Sequence, residues 1–203
     1  MGAAKRWWPA AAGATGLVAV LGVAPLASFA ASAKTRTETV YPWGAGGRLK
    51  AGLRFSGTVR GTCWTGSIAV SSAEAYRCMT GRHPLIYDPC FAPATKTVSQ
   101  LACTVTPWGK LWRFELTSPI PASARHRSGR PWVWAYVLGD GTRCTTATGT
   151  GAVVDKVALN YYCTPGTGWA SVPSDRAEPW TVRFAPSYKS KTLRTESVAT
   201  AWY

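Results

Sequence analysis

The sequence predicts an all-β protein: a single disulfide-stabilised domain, a β-sandwich or barrel, with one short helix. Three observations predict this class. Short runs alternate apolar and polar residues with period two, the pattern of a strand with one buried face. Glycine and proline recur between those runs, 20 and 14 of them in 203 residues, and both are turn formers. Six cysteines, an even number, offer cross-links to a fold of short elements.

The elements follow in order. Residues 34–47 are polar and then Gly-rich around Tyr41-Pro42-Trp43, and read as an extended arm or a first strand. Ala51, Leu53, Phe55, Gly57 and Val59 alternate with polar residues as a half-buried strand. Ser71-Ser72-Ala73-Glu74 has the spacing of a capping box, so the short helix is expected near Ser72 and Met79 (residues 72–79). Residues 84–93 carry Tyr87-Asp88-Pro89-Cys90 and read as a loop. Residues 101–105 form a short strand. Trp112, Phe114 and Leu116 alternate with Arg113 and Glu115 in another.

Residues 119–130 hold two prolines, His126 and three arginines and read as an exposed loop. Residues 132–138, Trp-Val-Trp-Ala-Tyr-Val-Leu, are apolar on both faces and suit an inner strand that turns at Asp140-Gly141. Val157, Leu159, Tyr161 and Cys163 share one face of a strand. Trp180, Val182 and Phe184 share one face of the next, and residues 192–202 form the last. No low-complexity linker divides the chain, so residues 34–203 are expected to form one domain. Cys103-Thr104 with Trp112-Arg113-Phe114 echoes Cys163-Thr164 with Trp180-Thr181-Val182-Arg183-Phe184, but the spacings differ and chance is the better reading.

Residues 1–33 read as a secretory signal peptide. Lys5 and Arg6 precede an apolar stretch at residues 10–26, and the small residues Ser28, Ala30, Ala31, Ser32 and Ala33 allow cleavage after Ala33 or Ala30. An uncleaved anchor fits less well, because the apolar stretch is short and ends in small residues. No interior run of about 20 apolar residues follows, so no transmembrane segment is expected in the exported chain. The whole sequence carries 23 Lys and Arg against 9 Asp and Glu, a net charge of +14, and loss of Lys5 and Arg6 leaves +12.

For an exported chain, Cys63, Cys78, Cys90, Cys103, Cys144 and Cys163 imply three disulfides. Fifteen pairings are possible; joining each cysteine to its sequence neighbour gives Cys63–Cys78, Cys90–Cys103 and Cys144–Cys163. Each bridge would contribute about 2–4 kcal/mol by restricting the unfolded chain. The spacings lack the close cysteine pairs of zinc sites and only His83 and His126 are present, so no metal and no cofactor is expected.

The segments Cys63-Trp64-Thr65-Gly66-Ser67-Ile68-Ala69, Ala75-Tyr76-Arg77-Cys78-Met79, Asp88-Pro89-Cys90-Phe91, Leu159-Asn160-Tyr161-Tyr162-Cys163 and Trp180-Thr181-Val182-Arg183-Phe184-Ala185-Pro186 carry a likeness. Together they resemble a group of small exported proteins of actinobacteria and similar bacteria. The resemblance spans residues 63–202 and implies export and the cysteine framework. The group has no assigned activity, so the resemblance transfers no catalytic residue.

Catalytic machinery is not announced. Ser67 lacks the glycines of a nucleophile elbow, and no P-loop, zinc-protease or dinucleotide signature is present. Of the nine acids, Glu38 in the polar arm and Glu196 in the last strand read as solvated, Glu74 as a cap, Asp140 and Asp155 as turn residues, and Asp175 with Glu178 as a solvated turn. His83, Asp88 and Glu115 remain as catalytic candidates, with Ser67 beside them. They define one reading, a secreted hydrolase of cell-wall or polyanionic substrate.

Binding is the preferred reading: a secreted, basic, non-catalytic protein at or near the cell envelope. Its expected partner is an anionic cell-wall polymer, with no specific nucleic-acid recognition. Arg125, Arg127 and Arg130 form the densest basic cluster, and Trp43, Trp64, Trp108 and Trp169, each close to Gly or Pro, are the candidate contact rings. Trp112, Trp134 and Trp180 are expected in the core. A third reading makes the protein an inhibitor or interaction module for another exported protein, touching it through residues 83–90.

Overall fold

The computed structural model describes residues 34–81, 84–95, 97–124, 133–147 and 149–203. The expected signal segment at residues 1–33, together with His83, Arg125, His126, Arg127 and Arg130, lies outside the described residues.

The chain is all-β. After β1 (Arg36–Glu38) come β2 (Phe55–Gly66), β3 (Ala75–Thr80), β4 (Ile86–Phe91), β5 (Gln100–Cys103) and β6 (Leu111–Leu116). Strands β2 to β6 follow one another antiparallel around a closed barrel, and β6 closes it by pairing parallel with β2. Two glycines permit the tight closure. A Cβ on Gly57 would sit 2.5 Å from the Trp112 ring, and one on Gly61 only 2.0 Å from the Met79 carbonyl oxygen.

The second half contains β7 (Ala135–Leu138), β8 (Arg143–Thr146), β9 (Ala152–Val154), β10 (Val157–Leu159), β11 (Tyr161–Thr164), β12 (Gly168–Ala170), β13 (Thr181–Ala185) and β14 (Arg194–Trp202). The sheet runs β1-β14-β13-β12-β11-β8-β7, and β14 also pairs with β7, so six of its strands close a second ring. Hairpin β9–β10 stands apart as a two-stranded sheet. Its two turn residues, Asp155 and Lys156, have φ of 48° and 62°, as a tight two-residue hairpin turn requires.

Each ring has its own interior. Leu101, Phe114 and the cystines Cys63–Cys78 and Cys90–Cys103 fill the first. Tyr136, Tyr161, Val182, Phe184, Val198 and the cystine Cys144–Cys163 fill the second. A third apolar cluster joins them, with Trp43, Val70, Phe91 and Leu111 meeting Trp134 and Ala135, and the Phe91 and Trp134 rings in edge contact at 6.4 Å.

The neighbour pairing of cysteines is the one found. Each cystine links residues directly opposite on paired strands: β2 with β3, β4 with β5, and β8 with β11. The echo between Cys103–Phe114 and Cys163–Phe184 has no counterpart in strand order. β5 and β6 are neighbours, whereas β12 separates β11 from β13.

Three expectations are corrected. The short helix expected near Ser72 and Met79 is strand β3. Ser72 does what a cap does, accepting the Glu74 N–H at 3.3 Å and donating to Glu74 Oε2 at 3.1 Å, but here this closes a turn. Pairing on both sides and the Cys63–Cys78 bridge then hold residues 75–80 extended. The loop expected at residues 84–93 contains β4, whose irregularity at Asp88-Pro89 imitates a loop in sequence. The strand expected through residues 157–163 breaks at Asn160 into β10 and β11.

Candidate functional site

β2 and β6 begin side by side, with Phe55 paired to Leu111. This puts Arg54 and Lys110, both exposed, at the same end of the first barrel. Two residues into β6, Arg113 faces outward and its guanidinium carbon lies 4.9 Å from the centre of the Phe55 ring. Phe55 in turn contacts the buried Trp43, edge on at 6.2 Å.

The loop between β5 and β6 reaches the second barrel through Trp108. Its ring meets Trp202 edge on at 5.5 Å, and the guanidinium of Arg143 on β8 lies over it at 5.4 Å. Phe55, Trp108 and Trp202 all pack on the apolar cluster that joins the barrels. Arg113 and Arg143, one from each barrel, thus sit on rings rooted in the same cluster. We call this arrangement the seam.

Stacking fixes a guanidinium plane and leaves its N–H edge available to a planar or tetrahedral oxyanion. Glu38, Glu115 and Glu196 are engaged by Arg36, Arg60 and Arg194, and among the described residues no carboxylate pairs with Arg113 or Arg143. Among the described residues the seam therefore offers positive charge over rings with no carboxylate on it.

The sequence-predicted rings separate clearly. Trp108 belongs to the seam. Trp43 is corrected to a core residue: it is 3% exposed and its Nε1 donates to the Phe91 carbonyl at 2.7 Å. Trp64 is exposed under Arg77, and Trp169 is half-buried against Tyr162 on the second barrel. Trp134 and Trp180 are buried as expected, while Trp112 is only half-buried, covering Gly57. Arg113 and Arg143 were not singled out in sequence, because nothing there places them over rings on other strands.

Of the catalytic candidates, Ser67 and Asp88 are brought together and Glu115 lies apart from them, while His83 is outside the described residues. Asp88 is 1% exposed; it accepts the Ser67 hydroxyl at 2.5 Å and the Ile68 N–H at 3.2 Å. Ser67 Oγ is itself occupied by the N–H groups of Ala69 and Val70, both at 3.0 Å. Burial lifts the Asp88 carboxyl above the usual carboxylate range; the Ser67 and Ile68 hydrogen bonds and the Arg77 charge oppose the lift. This pair fastens the turn after β2. Glu115 lies on β6 opposite Gln100 and is held by Arg60 at 2.7 Å. Since Cys90 faces Cys103, Asp88 and Glu115 are at opposite ends of β5.

A 790 Å³ cleft lies instead between the N-terminal arm and the turn before β3. Tyr41, Phe91 and Tyr203 line it with two carboxylates, Glu74 and Asp175, which the sequence pattern assigned to a cap and a turn. A second groove of 930 Å³ shares Glu74 and Ala94 with it and runs past Tyr76 and Thr117. No group of three His, Cys, Asp or Glu arranged for a metal occurs among the described residues, and none of their helices is long and apolar enough to cross a membrane.

Comparison with protein-family models, with curated proteins and with solved structures finds no match to this chain. The functional argument rests on the geometry above.

Proposed function

We propose that the protein is exported and acts at the cell envelope as a non-catalytic binding module for an anionic polymer, which it holds along the seam. The observation that carries this reading is the pair of ring-mounted guanidiniums, Arg113 over Phe55 and Arg143 over Trp108, neither paired with a carboxylate among the described residues. A flexible polyanion supplies closely spaced oxyanions, gains by releasing its counterions, and needs no deep pocket. Arg54 and Lys110 extend the positive field on the first barrel. Three cystines suit an oxidising compartment, which supports export and the likeness to small exported actinobacterial proteins.

The experiment is retention of the disulfide-bonded protein on purified cell walls at low and high salt, beside R113Q/R143Q. The reading expects strong retention at low salt, loss at high salt, and weak retention of the variant at both. Salt-independent retention, or none, would count against it.

The shared cleft favours a second reading, a hydrolase of envelope glycan. Two carboxylates line this cleft, and a pair of carboxylates is the minimum that glycoside cleavage needs. Release of reducing ends from wall glycan by the parent, abolished in E74Q and D175N, would establish this activity. No release leaves the groove to binding.

A further inference from the structure

The cleft beside the N-terminal arm carries the opposite charge to the rest of the molecule. The chain has 23 Lys and Arg against 9 Asp and Glu, yet the described residues that line the 790 Å³ cleft include Glu74 and Asp175 and no Lys, Arg or His. Three aromatic side chains, Tyr41, Phe91 and Tyr203, line it beside the buried Val70. A concave, partly apolar space of this size suits a small organic ligand or a short stretch of a longer one.

Ala92 ties a ring and an acid of this lining together. Its carbonyl accepts the Tyr41 hydroxyl at 2.8 Å, and its N–H donates to the Glu74 carbonyl at 2.7 Å. Tyr41 meets Phe91 edge on at 6.0 Å. Tyr203 is fastened to the arm, its N–H donating to the Glu38 carbonyl at 2.9 Å and its carbonyl accepting the Val40 N–H at 3.1 Å. The Glu74 carboxylate accepts the Ser72 hydroxyl at 3.1 Å, and among the described residues no basic side chain pairs with it. Its charge is felt at Tyr41: burial raises the phenol above its ordinary pKa and the Glu74 charge raises it further, against a backbone hydrogen bond from Ala94.

We propose that this cleft binds an organic ammonium group carried on an apolar stem, with the stem along Val70 and the rings and the ammonium beside Glu74. Aromatic faces attract a cation through their quadrupole. A carboxylate with no basic partner supplies the counter-charge. The apolar part of the lining favours an alkyl stem over a hydrated inorganic ion. The field of the whole protein works the other way, since a net charge of +14 attracts anions. A preference for a cation therefore has to come from the cleft itself. The cleft shares no lining residue with the ring-mounted arginines of the seam, so either site can operate without the other.

The test is a titration of the full, disulfide-bonded protein with three probes of matched length, hexylammonium, hexan-1-ol and hexanoate, followed by ligand-observed NMR at neutral pH and fixed ionic strength. The expected order of affinity is hexylammonium, then hexanol, then hexanoate. E74Q should lower the affinity for hexylammonium about fivefold and leave that for hexanol unchanged. E74D should keep the preference for the cation. Glu74 is exposed, so both variants should keep the parent's melting midpoint, which is measured alongside. Should a variant melt early, the order of affinities in the parent decides. Equal binding of hexylammonium and hexanol, tighter binding of hexanoate, or no binding of any probe overturns the proposal. The probes contain no glycosidic bond, so the outcome is separate from hydrolysis of wall glycan. An E74Q variant that stops the release of reducing ends yet keeps the ammonium preference supports the hydrolase and overturns this inference.

Discussion

The guanidinium of Arg143 on β8 lies over the indole ring of Trp108, 5.4 Å from its centre, although the two residues belong to different barrels. One contact thus orients a cation and ties the β5–β6 loop to the second barrel. Trp108→Ala should do two things. It should lower stability by about 2 kcal/mol through lost packing against Trp202, seen in the urea midpoint, and it should weaken polymer binding. Trp108→Phe keeps a ring beneath Arg143 and should retain most of the binding. Equal binding loss in both variants would mean that the ring does not orient the cation.

The cystine framework predicts no titratable thiol in the oxidised protein, since all six cysteines are bridged. Replacing Cys144 and Cys163 by alanine opens a bridge of sequence separation 19 between β8 and β11 and should cost about 2–5 kcal/mol in chemical denaturation. A thiol that reacts without reductant contradicts the pairing.

Asp88 sets a pH dependence whose sign follows from its burial. Its folded-state pKa is raised above the ordinary 3.8, so between those two values the native protein binds more protons than the unfolded chain. Its contribution therefore falls as pH rises through this window and is most favourable below it. Asp88→Asn keeps an acceptor for Ser67 and should flatten the dependence, read as the difference in urea midpoint between parent and variant across the acid range. Asp88→Ala leaves the Ser67 hydroxyl and Ile68 N–H without their acceptor and should destabilise by about 1–3 kcal/mol.

Gly61 lies on β2 directly against the backbone of β3. Gly61→Ala brings a methyl to 2.0 Å from the Met79 carbonyl oxygen, against backbone that belongs to the barrel ladder. The variant should lose about 1–3 kcal/mol or more, seen as a lower melting midpoint. Gly81→Ala, with no atom within 4 Å of the added carbon, is the control and should change little.

Much of the fold was legible because its cause is local. The alternation at Trp112, Phe114 and Leu116 marks one face of β6, and that at Trp180, Val182 and Phe184 leads into β13. Asp140-Gly141 turns between β7 and β8, with Gly141 at φ 87°. The neighbour cystines follow from antiparallel strands that place consecutive cysteines opposite one another. What was misread had an ambiguous local cause. The Ser72 hydroxyl accepts the Glu74 N–H here as a cap hydroxyl accepts an N–H of a first helical turn, and only pairing with β2 and β4 decides for β3. Asp88-Pro89 looks like a loop because proline disfavours strand interiors, yet here it occupies an irregular position in β4.

The site was legible only in part. Trp108 stood out through its proline and glycine neighbours, but so did Trp43, which the fold buries. Arg113 and Arg143 gain their meaning from Phe55 and Trp108, which are 58 and 35 residues away in sequence. Glu74 and Asp175 share a cleft for the same reason, since the fold, and no sequence motif, brings residues 101 apart to its lining.

The most direct test of the central claim is the salt dependence of binding to a defined polyanion, long-chain polyphosphate, by the parent and by R113Q/R143Q. The account predicts a linear fall of log affinity with log salt for the parent. In the double variant the slope should be smaller by about one unit per arginine removed, with weaker binding at low salt and an unchanged melting midpoint. Equal slopes and equal affinities for the two proteins would show that Arg113 and Arg143 do not hold the polymer, and would contradict the account.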